Sequence, residues 1–70
     1  MTRPDKFILQ VIVAADRRVT IADLRAMTRL PQRAIDTGIG HLRNRGYIAL
    51  AGYGNFVPTN LGRARAAEFD

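Results

Sequence analysis

Side chains that donate and accept hydrogen bonds are concentrated between Arg29 and Asn44. Arginine can contact guanine through two hydrogen bonds, glutamine or asparagine can do the same with adenine, and the threonine methyl can pack against thymine. The candidate residues, which either have this chemistry or are polar neighbours of residues that do, are Arg29, Gln32, Arg33, Asp36, Thr37, His41, Arg43 and Asn44. Their types and spacing predict contact with duplex DNA, although a solvated face of an ordinary helix would contain similar residues.

Different roles are predicted within this group. Arg33 is the strongest candidate for reading a base, with Gln32 and Thr37 beside it. The candidates for contact with the DNA backbone are Arg29, Arg43 and Asn44. Three further arginines either continue the positive surface or simply face solvent: Arg17, Arg18 and Arg25.

Asp36 and His41 suit DNA less directly. Because phosphate repels a carboxylate, Asp36 is expected either to accept from the amino group of cytosine or to pair with Arg33 or Arg43. His41 is predicted to be a partly exposed surface residue rather than a titrating switch.

The residues needed for catalysis or metal binding are sparse. The chain has no cysteine and one histidine, which excludes disulfides and a cysteine-based zinc site. It has no serine, and its six carboxylates show no paired spacing. The segment Gly38-Ile39-Gly40 lacks the preceding strand and the further glycine of a nucleotide-binding fingerprint. We therefore predict no enzymatic activity, no cofactor and no small-molecule ligand.

Length and charge limit the class of protein. Seventy residues allow one domain, and 47% hydrophobic with 24% charged residues favours a folded chain over a disordered one. Eleven basic residues, ten of them arginine, oppose six acidic ones for a net charge of +5. The excess indicates either a polyanionic partner or merely a soluble basic domain. Arginine suits phosphate and guanine, but its abundance can also reflect codon bias.

One segment is strongly apolar. The run from Phe7 to Ala15 is interrupted by Gln10 and is about nine residues long, whereas a membrane helix needs about 20. It also lacks a convincing small-residue cleavage pattern, so neither a membrane span nor a signal peptide is predicted. The expected compartment is the cytoplasm.

Hydrophobic periodicity and turn residues divide the chain into helices and a hairpin. The predicted elements are a helix from Pro4 to Ala15, an extended piece at Arg18–Thr20, a helix capped by Thr20 and ending near Met27 or Thr28, a helix from about Pro31 to Arg45 closed by Gly46, strands at Tyr47–Ala51 and Phe56–Thr59, and a helix from Asn60 to about Phe69. Pro58 is expected at an edge or at a strand end, because it cannot donate to a ladder.

The same periodicity predicts the inward-facing residues. They are Phe7, Ile8, Val11, Ile12 and Ala15 on the first helix, Ile21, Leu24 and Met27 on the second, Ile35, Ile39 and Leu42 on the third, and Ile48 and Leu50 on the first strand of the hairpin. Gly38 also faces inward and indicates close helix–helix approach. Gly40 faces outward, where it either permits close approach to a ligand or is simply tolerated.

The order of these elements is typical of a DNA-binding unit. Two helices separated by the turn at Thr28–Leu30 form a helix-turn-helix pattern. The segments Leu42-Arg43-Asn44-Arg45-Gly46-Tyr47-Ile48 and Thr59-Asn60-Leu61-Gly62 then resemble the winged helix-turn-helix domains of bacterial regulators of the MarR and PadR families. The resemblance covers about Asp5 to Ala67.

This resemblance implies an α+β, mainly α, single domain over residues 1–70. Its parts are a three-helix core, a two-stranded β-hairpin wing, and a short C-terminal helix, with a short strand at Val19 that pairs with the wing. It also implies a small transcriptional regulator that reads duplex DNA with helix 31–45 in the major groove, as a homodimer.

Two features depart from the family pattern. Pro31 stands where a serine or threonine commonly opens the recognition helix, and the wing tip from Gly52 to Asn55 has no basic residue. Tyr53 and Asn55 can still donate hydrogen bonds to phosphate. The uncharged tip leaves open a second hypothesis. In it the chain is an adaptor or inhibitor that binds another protein, without specific DNA binding, and a mobile element is one source of such a protein.

Overall fold

The computed structural model describes residues 1–69, which form four helices and three short strands. In chain order these are α1 (Arg3–Ala15), β1 (Val19–Thr20), α2 (Ile21–Thr28), α3 (Gln32–Asn44), β2 (Ile48–Leu50), β3 (Asn55–Pro58) and α4 (Asn60–Ala66). The mainly helical α+β class and the order of its elements are as predicted from the sequence.

Threonines begin three of the four helices. At α1 the Thr2 hydroxyl accepts from the Asp5 N–H at 3.2 Å, while the Asp5 carboxylate accepts from the Thr2 N–H at 3.3 Å. Thr20 and Asp23 make the same reciprocal pair at α2, with both distances 3.0 Å. Each capping box satisfies two N–H groups that a helix start leaves without partners. The predicted start of α2 is therefore confirmed.

The last helix is shorter than predicted. It ends at Ala66 and not near Phe69. The N–H of Ala67 still reaches the carbonyl of Arg63, four residues back, whereas the following amides bond only three residues back. The α-helical ladder thus changes into tighter turns after α4.

The three strands form one antiparallel sheet in the order β1-β3-β2. Val19 pairs with Phe56, and on the other side of β3 Ile48 pairs with Pro58. Pro58 is the last residue of β3 and lies beyond the reach of β1, so its missing donor breaks no ladder. The predicted strand-end position of Pro58 and the pairing of the Val19 strand with the wing are both confirmed.

Ten hydrophobic side chains form the core, contributed by every element except α4. They are Ile8, Leu9, Ile12, Val19, Leu24, Ile35, Ile39, Leu42, Ile48 and Phe56. Every predicted core position of α3 is confirmed. Using about 25 cal/mol per Å² of buried apolar surface, each such side chain contributes roughly 1.5–3 kcal/mol to folding.

Three predicted core residues are instead exposed. Phe7 retains 41% of its surface, Met27 42% and Leu50 49%. The buried side of α1 is centred on Ile8 and Ile12. Phe7 precedes Ile8 by one residue, so its side chain is rotated by about 100° from that of Ile8 towards solvent. Met27 lies to one side of the buried stripe of α2, and Leu50 ends β2 beside the turn, where the hairpin extends past the core.

α1 and α3 approach closely at Gly38. A β-carbon added there would lie 2.6 Å from Ile8 Cδ1 and 3.2 Å from Asp5 Oδ1. The predicted close contact is confirmed, and a side chain at position 38 would require at least the Ile8 side chain to move. Because α3 carries the polar outer face, this contact sets the position of that face relative to the core.

Candidate nucleic-acid interface

The outer face of α3 is exposed and polar. Successive residues lie 100° apart on a helix, which places Arg33, Thr37, Gly40 and Asn44 opposite the buried Ile35, Ile39 and Leu42, with Gln32, Asp36 and Arg43 on one flank. The exposed residues of this surface, here called the α3 face, are Gln32, Arg33, Asp36, Thr37, Gly40, Arg43 and Asn44. The structure thus brings together six of the predicted site residues on one side of one helix, with Gly40 among them.

The turn before α3 is held by a buried threonine. The Thr28 hydroxyl donates to the Leu24 carbonyl at 2.6 Å and accepts from the Leu30 N–H at 3.2 Å. Arg29 between them is in the left-handed conformation, with φ 59°, and its side chain is exposed. Thr28, which periodicity alone leaves at a helix end, therefore ties the last turn of α2 to the start of the connection to α3.

The start of α3 differs from those of the other helices. Pro31 occupies the N-cap position and provides no side-chain hydrogen bond to the first turn. The first N–H groups of α3 therefore have no capping side chain, and the positive end of the helix dipole lies beside Gln32 and Arg33. Such a terminus favours an anion such as phosphate. With proline at the N-cap, the first N–H groups of α3 thus have no side-chain acceptor.

Asp36 has a partner that the sequence interpretation did not anticipate. The Gln32 side-chain nitrogen donates to an Asp36 carboxylate oxygen at 2.9 Å, one helical turn away. The ion pairs within residues 1–69 do not include Asp36, so the predicted pairing with Arg33 or Arg43 is wrong. At i and i+4, Gln32 lies directly over Asp36, which favours this neutral donor over either arginine.

His41 lies on the flank of α3 that faces α1. Its Nδ1 is 2.8 Å from an oxygen of Asp5, whose side chain is only 3% exposed, while the His41 side chain is 41% exposed. The prediction of a partly exposed histidine is confirmed, but its tie to a residue 36 positions earlier was missed. The only local signal is the acidic residue in the first turn of α1, where a carboxylate also favours the positive end of the helix dipole.

The Asp5 carboxylate is stabilised in its charged form. Burial alone would raise its pKa, but hydrogen bonds from His41 and from Thr2 outweigh this effect and hold the pKa below the ordinary 3.8. The result is a charged group that joins the start of α1 to the middle of α3.

Arginines of the α2–α3 region lack ion-pair partners within residues 1–69, whereas those elsewhere are often paired. Arg17 contacts Asp23, Arg63 contacts Asp16 and Arg65 contacts Glu68. The unpaired set comprises Arg25, Arg29, Arg33, Arg43 and Arg45. Arg17 is therefore a poor candidate for the positive surface, whereas Arg25 and Arg29 line one shallow groove along α2 and remain good ones.

The wing tip provides little positive charge. Tyr53 is fully exposed, and the Asn55 side-chain amide donates to the Tyr53 backbone carbonyl at 3.2 Å. Gly52 and Gly54 take positive φ angles of 90° and 66°, which only glycine adopts without strain. The Tyr53 hydroxyl is thus free to contact a partner, while part of the Asn55 amide is already used in the turn.

Metal-binding clusters and membrane-spanning helices are absent from residues 1–69. This part of the chain has no group of three or more histidine, cysteine or acidic side chains placed to hold a metal ion. None of its helices combines the length and apolar character that crossing a membrane requires.

Two solved structures resemble this chain closely. The crystal structure of the MarR-family protein Rv2887 of Mycobacterium tuberculosis matches with a TM-score of 0.83 and 22% sequence identity, over 96% of this chain and 50% of that one. The crystal structure of the adhesin competence repressor AdcR of Streptococcus pyogenes matches with a TM-score of 0.78 and 23% identity, over 97% and 53%. No family model and no curated protein matches the sequence.

This likeness shows that the chain has the winged-helix fold of MarR-family proteins, as the sequence resemblance predicted. The chain spans about half the length of each structure that it matches. At identities of 22% and 23% the likeness establishes the fold, whereas function has to be inferred from the residues themselves.

Proposed function

We propose that this chain is a small DNA-binding transcriptional regulator that reads duplex DNA with α3 in the major groove. The observation that carries this proposal is the exposed α3 face, on which arginines without ion-pair partners stand beside amide and hydroxyl side chains. In helix-turn-helix proteins the N-terminal part of the second helix contacts base edges while the first helix crosses the backbone. The chain would act in a bacterial cytoplasm and without a catalytic step.

Each part of the site then has a role. Arg33 and Thr37 would contact base edges, while Arg29 and the uncapped start of α3 would bind phosphate. Arg25 would extend the phosphate contact along α2. A net charge of +5 would assist the approach of the domain to DNA.

We also propose that two copies bind together. A single domain of this size makes few base contacts, and specific sites usually combine two half-sites about one helical turn apart. Each matched chain is about twice as long as this domain. The residues through which two copies of this domain would contact each other are therefore left to experiment.

The substitution Arg33→Ala tests the assignment of the α3 face. We expect a loss of about 1–3 kcal/mol in specific DNA binding, with relaxed preference at one base position, because the guanidinium is the best base-reading group on this face. Fluorescence anisotropy with a selected duplex and with a scrambled one measures both effects.

Arg63→Ala is the matched control, because it removes the same charge from an exposed α4 residue that is paired with Asp16. It should change specific binding little. Equal losses in the two variants, or an Arg33→Ala protein as selective as the wild type, would remove the assignment.

One observation favours an alternative function, a protein-binding adaptor or inhibitor. The wing tip presents the fully exposed Tyr53 without any basic residue, which suits a protein surface better than phosphate. Absence of duplex binding at low salt, together with co-purification of one specific host protein that Tyr53→Ala releases, would favour this alternative over DNA reading.

A further inference from the structure

The Gln32–Asp36 pair on the first turns of α3 has a defined hydrogen-bonding polarity. A carboxylate in its charged form only accepts hydrogen bonds, so the Gln32 atom that faces Asp36 must be the amide nitrogen. The Gln32 carbonyl oxygen is then turned away from Asp36, and both side chains are exposed. The pair therefore presents mainly acceptors to its surroundings, namely the Gln32 oxygen and the remaining capacity of the Asp36 carboxylate, beside the one remaining N–H donor of the Gln32 amide.

The charge of Asp36 restricts where this pair can lie on DNA. Asp36 is the single acidic residue of α3, and phosphate would repel it. If α3 lies in the major groove, a position over the base edges is the one that brings this carboxylate near hydrogen-bond donors and away from the phosphates. The donors available there are the exocyclic amino groups, N6 of adenine and N4 of cytosine, because guanine and thymine present only acceptors and a methyl group.

We propose that Gln32 and Asp36 act together as a specificity element that selects a base presenting an amino group in the major groove, adenine or cytosine, on the contacted strand and rejects guanine and thymine. This inference rests on the proposed function, since it applies only if α3 enters the major groove. The hydrogen bond at 2.9 Å orients the Gln32 amide before DNA arrives, so less side-chain freedom is lost on binding.

Adenine and cytosine can be distinguished by a second contact. Adenine N7 is an acceptor next to the amino group, and the second hydrogen of the Gln32 amide can donate to it while the first stays with Asp36. Cytosine has no acceptor in the corresponding position. Replacement of adenine by 7-deazaadenine therefore weakens binding only if adenine is the base read.

The test begins with selection of bound sequences from a random duplex pool. The three proteins are the wild type, Asp36→Asn, and Asp16→Asn as the control. Asp16→Asn removes the same charge from the exposed end of α1, where Asp16 takes a left-handed conformation that asparagine also accepts. The wild type and Asp16→Asn should share a position restricted to adenine or cytosine. Asp36→Asn should admit guanine or thymine there, because an asparagine amide can donate to their acceptors.

A second measurement uses one selected duplex. The amino group is deleted by placing purine for adenine, or 2-pyrimidinone for cytosine, at the restricted position. Wild-type affinity should fall roughly 5- to 150-fold, the range of one good base contact, and the affinity of Asp36→Asn should fall much less.

The outcomes separate this inference from the function on which it rests. Failure of the wild type to bind any duplex at low salt would overturn both. Duplex binding by the wild type with no restricted position, or with the same restriction in Asp36→Asn, would overturn the inference alone and leave DNA reading intact. A loss of affinity with 7-deazaadenine supports adenine as the base, and selection of cytosine supports cytosine.

Discussion

Asp5 joins two helices through one buried carboxylate. It closes the capping box of α1 with Thr2 and holds Nδ1 of His41 on α3, and one of its oxygens lies against Gly38. A buried charge is tolerated only when its hydrogen-bonding capacity is used, and here the N–H of Thr2 and the imidazole of His41 use it. The position of the α3 face thus depends on a residue at the opposite end of the sequence.

The Asp5→Asn variant should reveal this coupling as a pH effect. The pKa of Asp5 is lowered in the folded protein, so the charged form contributes stability that is present above the unfolded value of about 3.9 and is lost as pH falls through the folded pKa. We expect the variant to lose about 1–2 kcal/mol of unfolding free energy at pH 7. The difference should shrink on acidification through the folded pKa, because wild-type Asp5 is then also uncharged. Urea unfolding of both proteins at several pH values between about 2 and 7 measures this difference in unfolding free energy.

Asp23→Asn is the matched comparison. Asp23 closes the same kind of box at α2 but bonds to no other helix, and its side chain is 37% exposed. Its substitution should be milder at pH 7. A loss in Asp5→Asn that is the same at low and neutral pH would contradict a role for the charge of Asp5.

At the scale of elements, α4 is attached to the hairpin by a compact joint. The Thr59 N–H donates to the Tyr47 carbonyl at 3.0 Å, and the Thr59 hydroxyl donates to the Gly46 carbonyl at 2.6 Å and accepts from the Gly62 N–H at 3.0 Å. Gly62 is buried directly against the Tyr47 carbonyl. The spacing Thr59-x-x-Gly62 is therefore a packing requirement, which the family resemblance pointed to without explaining.

The Gly62→Ala variant should be destabilised. An added β-carbon would overlap the Tyr47 backbone, so α4 must move away from β2. We expect a cost of about 1–3 kcal/mol, the usual range for overpacking, in thermal or urea unfolding. Gly40→Ala is the matched control, because nothing lies within 4 Å of its added β-carbon. That variant should gain up to about 1 kcal/mol from improved helix propensity.

The control also addresses the two interpretations of Gly40. If glycine is merely tolerated there, Gly40→Ala binds DNA as the wild type does. Weaker binding by this more stable variant would indicate that α3 approaches the DNA closely at Gly40.

Equal unfolding free energies for Gly62→Ala and the wild type would contradict the tight joint at α4.

At the scale of the whole molecule, charge and size determine how the domain can bind. A 7.8-kDa chain with net charge +5 has a small core and a limited contact surface. Three of its ten arginines are in ion pairs on the surface, while those of the α2–α3 region have no such partners within residues 1–69. Five of the seven arginines without an ion-pair partner in residues 1–69 therefore lie between Arg25 and Arg45.

DNA binding should involve two copies and depend strongly on salt. If two copies contact about six phosphates between them, affinity should fall roughly a thousandfold between about 50 and 200 mM salt, because counterions are released on binding. Light scattering should give a complex containing two chains on a duplex with two half-sites about one helical turn apart. A duplex with one half-site serves as the control. One chain per two-site duplex at saturation would contradict paired binding.

Much of the fold follows from short-range patterns in the sequence. The capping pair Thr20–Asp23, the proline before α3 and the change of period after Gly46 set most of the element boundaries. The polar residues of the α3 face were also identifiable, because helical geometry relates residues three and four apart without reference to the rest of the chain. These predictions depend only on hydrogen bonds and side-chain directions within about one turn.

The tertiary structure decided what depends on contacts between distant residues. It linked Asp5 to His41 and packed Gly62 on Tyr47. It also left Phe7 exposed, although its local pattern was that of a core residue. Periodicity finds an apolar side of a helix, but the width of that side and its partners depend on where the other elements lie. The sequence by itself thus determined the elements and the polar face of α3, whereas packing among those elements decided which polar residues hold that face in place.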